Sequence, residues 1–219
     1  MKTNAKLNAK KIAVIGALSA IALVLVGLIR IPIVLFLSYE PKDVAIMLGG
    51  LIFGPMTALA VSVISSTLEM VFLSNTGIVG WFMNVLSTVA FTCTASYIYT
   101  KKRTMKGAII GLLTGWSLMI LVMLLWNYLI TPLYMGVPRE AVLKLLPTAI
   151  LPFNLFKGGI NIALTLLLYK PVITALRKKQ IVAGSAGPGQ GKDSLGVILI
   201  AAVLIVSSVL LVLAVNGKF

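Results

Sequence analysis

Long apolar runs dominate this sequence of 219 residues, of which 59% are hydrophobic and only 11% are charged. A soluble domain carries about 25% charged residues, whereas a run of about 20 apolar residues can cross a bilayer as a helix. The composition therefore predicts an all-α membrane protein. Spans are expected at residues 12–29, 44–53, 56–73, 81–99, 108–130, 148–169 and 195–215.

Residue types that support metal binding or acid–base catalysis are scarce. There is no histidine, and Cys93 is the single cysteine, which excludes an internal disulfide and zinc sites built on His or Cys pairs. Glu69 is the only acidic residue inside a predicted span, and we interpret it as an interfacial residue that reaches the headgroups. A membrane-embedded enzyme, which needs a base and a partner in one cavity, is a remote alternative.

Basic residues explain the net charge of +14 without a nucleic-acid partner. Most of the 19 lysines and arginines fall in segments that lie on one side of the membrane if the N-terminus is inside. Cytoplasmic loops carry an excess of such residues. The first apolar run, residues 12–29, is longer than the core of a signal peptide, so it is expected to remain as the first span. The sequence thus predicts a multi-pass protein of the cell membrane with a cytoplasmic N-terminus.

A polar stripe interrupts the sixth span. Asn154, Lys157 and Asn161 are spaced i, i+3, i+7, which places them on one helix face. Lys157 lies ~14 Å into the span at ~1.5 Å per residue. Polar side chains in a span are costly and usually face the bundle interior or a cavity. We interpret the stripe as one wall of a binding site.

Other polar residues converge on the same, outer half of the membrane. Pro41 and Asp43 suit the start of a helix, but that explanation leaves out Tyr39, Glu40 and Lys42, which crowd the same mouth. Residues 30–40 are too short to span and are expected to form a re-entrant or capping loop. Two further amides and an acid lie near the outer ends of three spans: Asn84, Asn127 and Glu69.

The expected pocket opens to the outside and combines amides with one lysine. Asparagine both donates and accepts hydrogen bonds, so two asparagines and a lysine could read a planar heterocycle with alternating C=O and N–H groups. Its faces could be covered by Phe153, Phe156, Trp126 and Tyr128. The alternative for an individual asparagine, above all for Asn84, is a hydrogen bond between helices.

The domain organisation follows from composition. Residues 1–180 form the predicted substrate-binding domain, residues 181–194 a linker rich in Gly, Ser and Pro, and residues 195–219 an accessory seventh helix. Residues 187–194 resemble a P-loop, but Asp193 stands where that motif needs Ser or Thr, and no strand precedes it. No nucleotide site is assigned, so any ATP-driven work belongs to another subunit.

Several motifs resemble one family. The stretch at residues 36–44 (FLSYEPKDV), the stretch at 49–55 (GGLIFGP), the pattern Asn-x-x-Lys-Gly-Gly-x-Asn at 154–161, and Asn127 are similar to the riboflavin-specific S component (RibU) family of energy-coupling factor (ECF) transporters. The resemblance covers about residues 8–180. The seventh helix departs from the six-helix pattern of that family.

The resemblance implies a six-helix bundle that captures riboflavin in an outward-facing pocket for an importer, with no cofactor of its own. A T component and two ATPase subunits would supply the energy, and Ala13 and Ala17 match the motif that contacts the T component. Asn127, Asn154 and Lys157 would bind the polar edge of the flavin. The loop that would close over it carries Tyr39, Glu40, Lys42 and Asp43, and Asn161 would lie deepest.

Two alternatives stay open for the ligand. The chain could be an S component for another vitamin, or for a phosphorylated flavin such as FMN, because Arg139 and Lys42 at the mouth could admit a phosphate. At Asn161, packing against a neighbouring helix is the alternative to contact with the ligand.

Overall fold

Helices make up most of the part of the chain that a computed structural model describes, which is residues 2–35, 37–74, 76–179, 181–182 and 194–215. The α-helices are α1 (Lys2–Leu28), α2 (Lys42–Phe53), α3 (Pro55–Phe72), α4 (Gly77–Lys101), α5 (Met105–Met135), α6 (Arg139–Leu145), α7 (Leu151–Lys178) and α8 (Ser194–Val215). A π-helical segment, Leu146–Ile150, joins α6 to α7. The prediction of an all-α membrane protein with an extra C-terminal helix is confirmed.

The second predicted span is a short helix. Helix α2 has 12 residues, or ~18 Å at ~1.5 Å per residue, whereas the hydrocarbon core is ~30 Å thick. Long apolar helices cover the other six predicted spans. Gly54 ends α2 with φ of 98°, a backbone conformation that favours glycine, and Pro55 then starts α3, as proline commonly does.

The expected capping loop before α2 is a β-hairpin. Strand β1 (Ile31–Val34) pairs antiparallel with β2 (Leu37–Tyr39), with Ile31 opposite Tyr39. Leu37 of β2 is buried in one apolar cluster with Ile150 at the end of the π-helical segment and Phe153 at the start of α7. We call this side of the bundle the hairpin end, and the side that carries the basic residues 101–106 and 177–179 the basic end.

The helices pack tightly where side chains are small. A Cβ atom added at Gly111 of α5 would lie 2.7 Å from the backbone oxygen of Ala95 in α4, so this glycine lets the two helices approach closely. The main apolar cluster fills the space between α2, α4, α5 and α7. Its buried members include Met47, Phe91, Leu112, Met119 and Ile162.

Helix α8 packs against α7. Ser208 lies beside Gly159, and Leu211 and Val212 lie beside Pro152 and Phe153, so the two helices run in opposite directions. The predicted linker and the P-loop-like segment fall almost entirely on residues 183–193, outside the described residues.

Candidate functional site

A small polar cavity lies at the hairpin end. Its volume is about 100 Å³. It is bounded by the end of α1, the hairpin, α3, α4, α5 and α7. The lining residues are Arg30, Leu37, Ser38, Glu40, Glu69, Ser74, Thr76, Met83, Asn84, Ser87, Met123, Asn127, Phe153, Asn154 and Lys157.

Two asparagines from neighbouring helices face this cavity. The side-chain nitrogen of Asn127 donates to the Met123 carbonyl and that of Asn154 to the Ile150 carbonyl, each at 2.8 Å. An amide NH₂ carries two donor hydrogens, so the second hydrogen of each group can serve a ligand. Trp116 of α5 fixes this part of α7, because its indole N–H donates to the Asn154 backbone oxygen at 3.2 Å.

Lys157 forms a deep ion pair with α2. Its ammonium lies 3.0 Å from Asp43 Oδ2, with side-chain exposures of 10% and 0%. Thr88 of α4 donates to the other Asp43 oxygen at 2.7 Å, and the Asn161 amide donates to Oδ2 at 3.4 Å. We call Lys157 and Asp43 the deep pair. The hydrogen bonds from Thr88 and Asn161 give the buried Asp43 carboxylate further partners, as a buried charge requires.

A second set of charges joins the hairpin to α3. Arg30 lies 2.8 Å from Glu40 and 3.8 Å from Glu69, and Lys42 contacts both carboxylates. The Asn84 amide of α4 donates to Glu69 at 3.1 Å. We call Arg30, Glu40, Lys42 and Glu69 the outer group. The outer group connects Arg30, just before the hairpin, and Glu40, just after it, to the Glu69 carboxylate on α3.

The interpretation of Glu69 as an interfacial residue is wrong. Its side chain is only 1% exposed and contacts Lys42, which is also 1% exposed. Because Lys42 opens α2 inside the bundle, it gives Glu69 a cation that the position of Glu69 along α3 does not reveal. Asn84 does form a hydrogen bond between helices, as expected.

The charges around the cavity balance. The deep pair and the outer group together hold three cationic and three anionic side chains, and each is within ion-pair distance of an opposite charge. Within the described residues, no cluster of three His, Cys, Asp or Glu side chains could hold a metal ion. The walls thus offer an uncharged ligand many polar groups and no net charge.

The predicted site residues divide into two layers. Glu40, Asn127, Asn154 and Lys157 line the cavity. Behind them, the Tyr39 hydroxyl donates to Asn161 at 3.0 Å, and burial raises the pKa of Tyr39, which keeps this donor protonated. The residues in this second layer are Tyr39, Lys42, Asp43 and Asn161.

Of the predicted aromatic cover, only Phe153 is among the lining residues. Phe156 instead packs edge-on against Tyr39, with ring centroids 5.5 Å apart. Arg139 lies over the Tyr128 ring, 5.5 Å from its centroid, and is not among the lining residues either.

Several lining residues escaped the sequence analysis. Arg30 directly follows the first span, and its position at the mouth was a signal for a role there. Ser87 lies three residues after Asn84, and Met123 four residues before Asn127, so helical spacing placed both on faces already marked as polar. Ser38 lies within the motif at residues 36–44, whereas Ser74 and Thr76 had no such signal, because they lie outside helices.

A different surface is present towards the basic end. Ala13 and Ala17 line an apolar groove of about 540 Å³ between α1, α2 and the end of α7. Gly49 of α2 forms part of its wall, and a Cβ atom there would meet Leu18. No residue of α8 is among the described residues that line this groove.

Known proteins resemble this chain over most of its length. The family model for the ECF transporter, substrate-specific component, matches residues 10–169. The chain is 32% identical to the riboflavin transporter RibU of Staphylococcus aureus, over 81% of this chain and 97% of that protein. It is 30% identical to the riboflavin transporter FmnP of Bacillus subtilis, over 69% of this chain and 86% of that one.

The fold leads to the same family. A solved structure described as the S component of a bacterial ECF transporter superposes with a TM-score of 0.67 at 31% identity, covering 78% of this chain and 99% of that one. The identity of this match is high enough to support more than a shared architecture. This chain therefore belongs to the family of substrate-specific components of ECF transporters.

Proposed function

We propose that this chain captures riboflavin for an ECF importer, with the hairpin end facing outside. The observation that carries the proposal is the cavity in which Asn127, Asn154 and Lys157 converge beneath the hairpin. Two relatives whose names state riboflavin transport support this choice of ligand. A substrate-capture subunit needs no catalytic residues, and the charged side chains at this site are paired with one another.

The groups at the cavity match the chemistry of a flavin ring. One edge of that ring alternates C=O and N–H groups, which the amides of Asn127 and Asn154 and the ammonium of Lys157 can complement. Phe153, Met83 and Met123 line the same space and offer apolar and sulfur contacts to the ring faces. The balanced walls suit a vitamin that carries no charge.

Capture requires the hairpin to move. The cavity of about 100 Å³ is smaller than the ~300–1,000 Å³ of typical small-molecule sites. The hairpin connects to the rest of the bundle through Arg30 and Glu40 of the outer group, through the Leu37 cluster, and through the contacts of Tyr39 with Asn161 and Phe156 of α7. Lifting it would widen the cavity between α3 and α7, and its return would enclose the ligand.

The orientation and the partners follow from the two ends of the bundle. Basic residues concentrate at the end opposite the cavity, which the positive-inside tendency assigns to the cytoplasm. Ala13 and Ala17 would contact the T component through the apolar groove, which leaves α8 out of the contact. The T component and two ATPase subunits would supply the energy for transport.

A titration of the purified full chain with riboflavin, read by quenching of flavin fluorescence, tests this function. Saturable quenching is expected, and its absence at micromolar ligand would overturn the proposal. Asn154→Ala should weaken binding by about tenfold, the cost of one buried hydrogen-bonding group. Thr174→Ala is the matched control, because Thr174 is exposed on the same helix, and it should bind like the wild type.

A phosphorylated flavin is the less favoured ligand. Lys42 is enclosed by Glu40 and Glu69, so it does not offer a free cation to a phosphate. Arg30, the other cation near the mouth, is already paired with Glu40, so a phosphate would gain no unpaired cation there. FMN should therefore displace riboflavin more weakly than unlabelled riboflavin does, and equal displacement would assign FMN as a second ligand.

A further inference from the structure

The extra helix α8 is apolar along its whole length and packs against the bundle through one narrow face. Ala201 and Ser208 are buried against the bundle, whereas Leu199, Val203 and Val206 are exposed. Its 22 residues contain no charged side chain. The exposed face suits contact with lipid, and the buried face determines what α8 can do for the rest of the protein.

The first contact of α8 is with the face of α7 opposite the polar stripe of Asn154, Lys157 and Asn161. A Cβ atom added at Gly159 would lie 2.6 Å from Ser208 Oγ, so the glycine lets α8 approach α7 closely. Gly159 is two residues from both Lys157 and Asn161, or about 200° around the helix. Helix α8 therefore packs against the side of α7 that is opposite the deep pair.

The second contact closes a seam beside the hairpin. Leu211 and Val212 of α8 meet residues of β1 and the start of α7 around a cleft of about 10 Å³. A cavity needs at least about 10–15 Å³ to hold one water molecule, so the seam has room for one water at most. The residues on the other side of it are Ile33, Val34, Pro152 and Phe153.

Phe153 links this seam to the cavity. It lines the seam together with Leu211 and Val212, and it also lines the cavity with Asn154 and Lys157. No residue of α8 is among the described residues lining the cavity itself. Any effect of α8 on a ligand must therefore be indirect, through α7 at Gly159, through Phe153 or through the hairpin.

We propose that α8 is a retaining helix, whose residues Ser208, Leu211 and Val212 position the start of α7 and the hairpin and thereby slow ligand exit. This inference rests on riboflavin capture as the function. The hairpin must separate from α7 to release a ligand, and the contacts of α8 with both elements oppose that separation. Because opening controls both directions, α8 should slow exchange more than it changes the Kd.

Two neighbouring serines test the first contact in the full chain. Radiolabelled riboflavin is bound and then chased with an excess of the unlabelled vitamin. Ser208→Leu should speed dissociation by about tenfold, because overpacking a tight contact shifts the elements it joins. Ser207→Leu places the same side chain on the exposed face and should leave the rate unchanged.

Two neighbouring leucines test the second contact and guard against a folding defect in Ser208→Leu. Leu211→Ala removes part of the seam and should speed dissociation by about fivefold. Leu210 is largely exposed, so Leu210→Ala should match the wild type. Association measured by stopped-flow quenching should also become faster in Leu211→Ala, with a smaller change in Kd than in either rate.

The outcomes separate this inference from the proposed function. A wild-type chain that does not bind riboflavin overturns the function. If the wild type binds but Leu211→Ala exchanges riboflavin at the wild-type rate, α8 does not retain the ligand. A loss of affinity in Leu211→Ala without any change in association rate would also overturn the retaining role, because it would indicate a direct contact with the ligand.

Discussion

The deep pair and the outer group use the same ionic chemistry, but only the outer group extends from buried side chains, Lys42 and Glu69, to an exposed one. Lys157 and Asp43 are almost completely enclosed, whereas the Arg30 side chain of the outer group is 43% exposed. The deep pair joins α7 to α2, two helices of the bundle. The outer group joins α3 to the residues that flank the hairpin, which is the element that we propose to move during capture.

This difference separates two tasks within one site. A buried ion pair gives little net stability but is very costly to break, because the remaining charge has no partner. The deep pair therefore holds the Lys157 side chain in a fixed position at the cavity wall. An ion pair open to water contributes little and can separate easily, so the Arg30–Glu40 contact suits an element that opens and closes.

The largest effect is expected when the deep pair loses one member. Asp43→Ala leaves the Lys157 ammonium without its nearest anion and should lower the free energy of unfolding by about 3–5 kcal/mol. Thermal denaturation of the purified protein would measure this as a large drop in Tm. Riboflavin binding should be lost as well, since Lys157 is no longer held in place.

A double variant distinguishes these two consequences. Asp43→Ala with Lys157→Met removes both charges and should recover most of the stability, because an apolar replacement of a buried pair is often tolerated. It should not recover riboflavin binding. Recovery of both would show that the lysine only balances Asp43 and does not contact the ligand.

An intermediate effect is expected at Glu69, the buried carboxylate of the outer group. Glu69→Gln keeps the shape and the contact with Asn84 but removes the closest negative charge from Lys42. Glu40 still lies 3.7 Å from Lys42, so the loss of stability should be about 1–3 kcal/mol. A decrease in Tm as large as that of Asp43→Ala would contradict the distinction between the two groups.

The smallest effect on stability is expected at the exposed side of the outer group. Arg30→Gln should cost at most about 0.2–1 kcal/mol, the range measured for exposed ion pairs, and Tm should hardly change. Riboflavin exchange should become faster, because the hairpin loses a contact with Glu40 and Glu69. Repeating the chase at high salt should reduce the difference from the wild type, since salt screens exposed charges; a difference that persists would place this contact in a less accessible environment.

The sequence was sufficient for the features that depend on local composition. Long apolar runs determine which segments become membrane helices, and the spacing of Asn154, Lys157 and Asn161 determines that they share a helix face. Both conclusions rest on the length and the period of a single helix, which neighbouring elements do not alter. The motif that carries Tyr39, Glu40 and Lys42 indicated a functional mouth, although not its form.

Other features depended on partners that are distant in the chain. The segment before α2 was expected to be a re-entrant or capping loop, and strand pairing with a register of Ile31 opposite Tyr39 gives it the form of a hairpin. Glu69 was assigned to the interface because its depth was judged along one helix alone. Its burial follows from Lys42 and Asn84, which approach from two other elements.

By itself, then, the sequence determined that this chain spans a membrane, that its sixth span carries polar groups, and which family its motifs resemble. Only the tertiary structure decided which of these groups line the cavity and which lie behind it. It also decided that Asp43 pairs with Lys157 and that α8 packs on the back of α7. The physical reason is that helix formation responds to nearby residues, whereas burial of a charge depends on an opposite charge that another element brings to it.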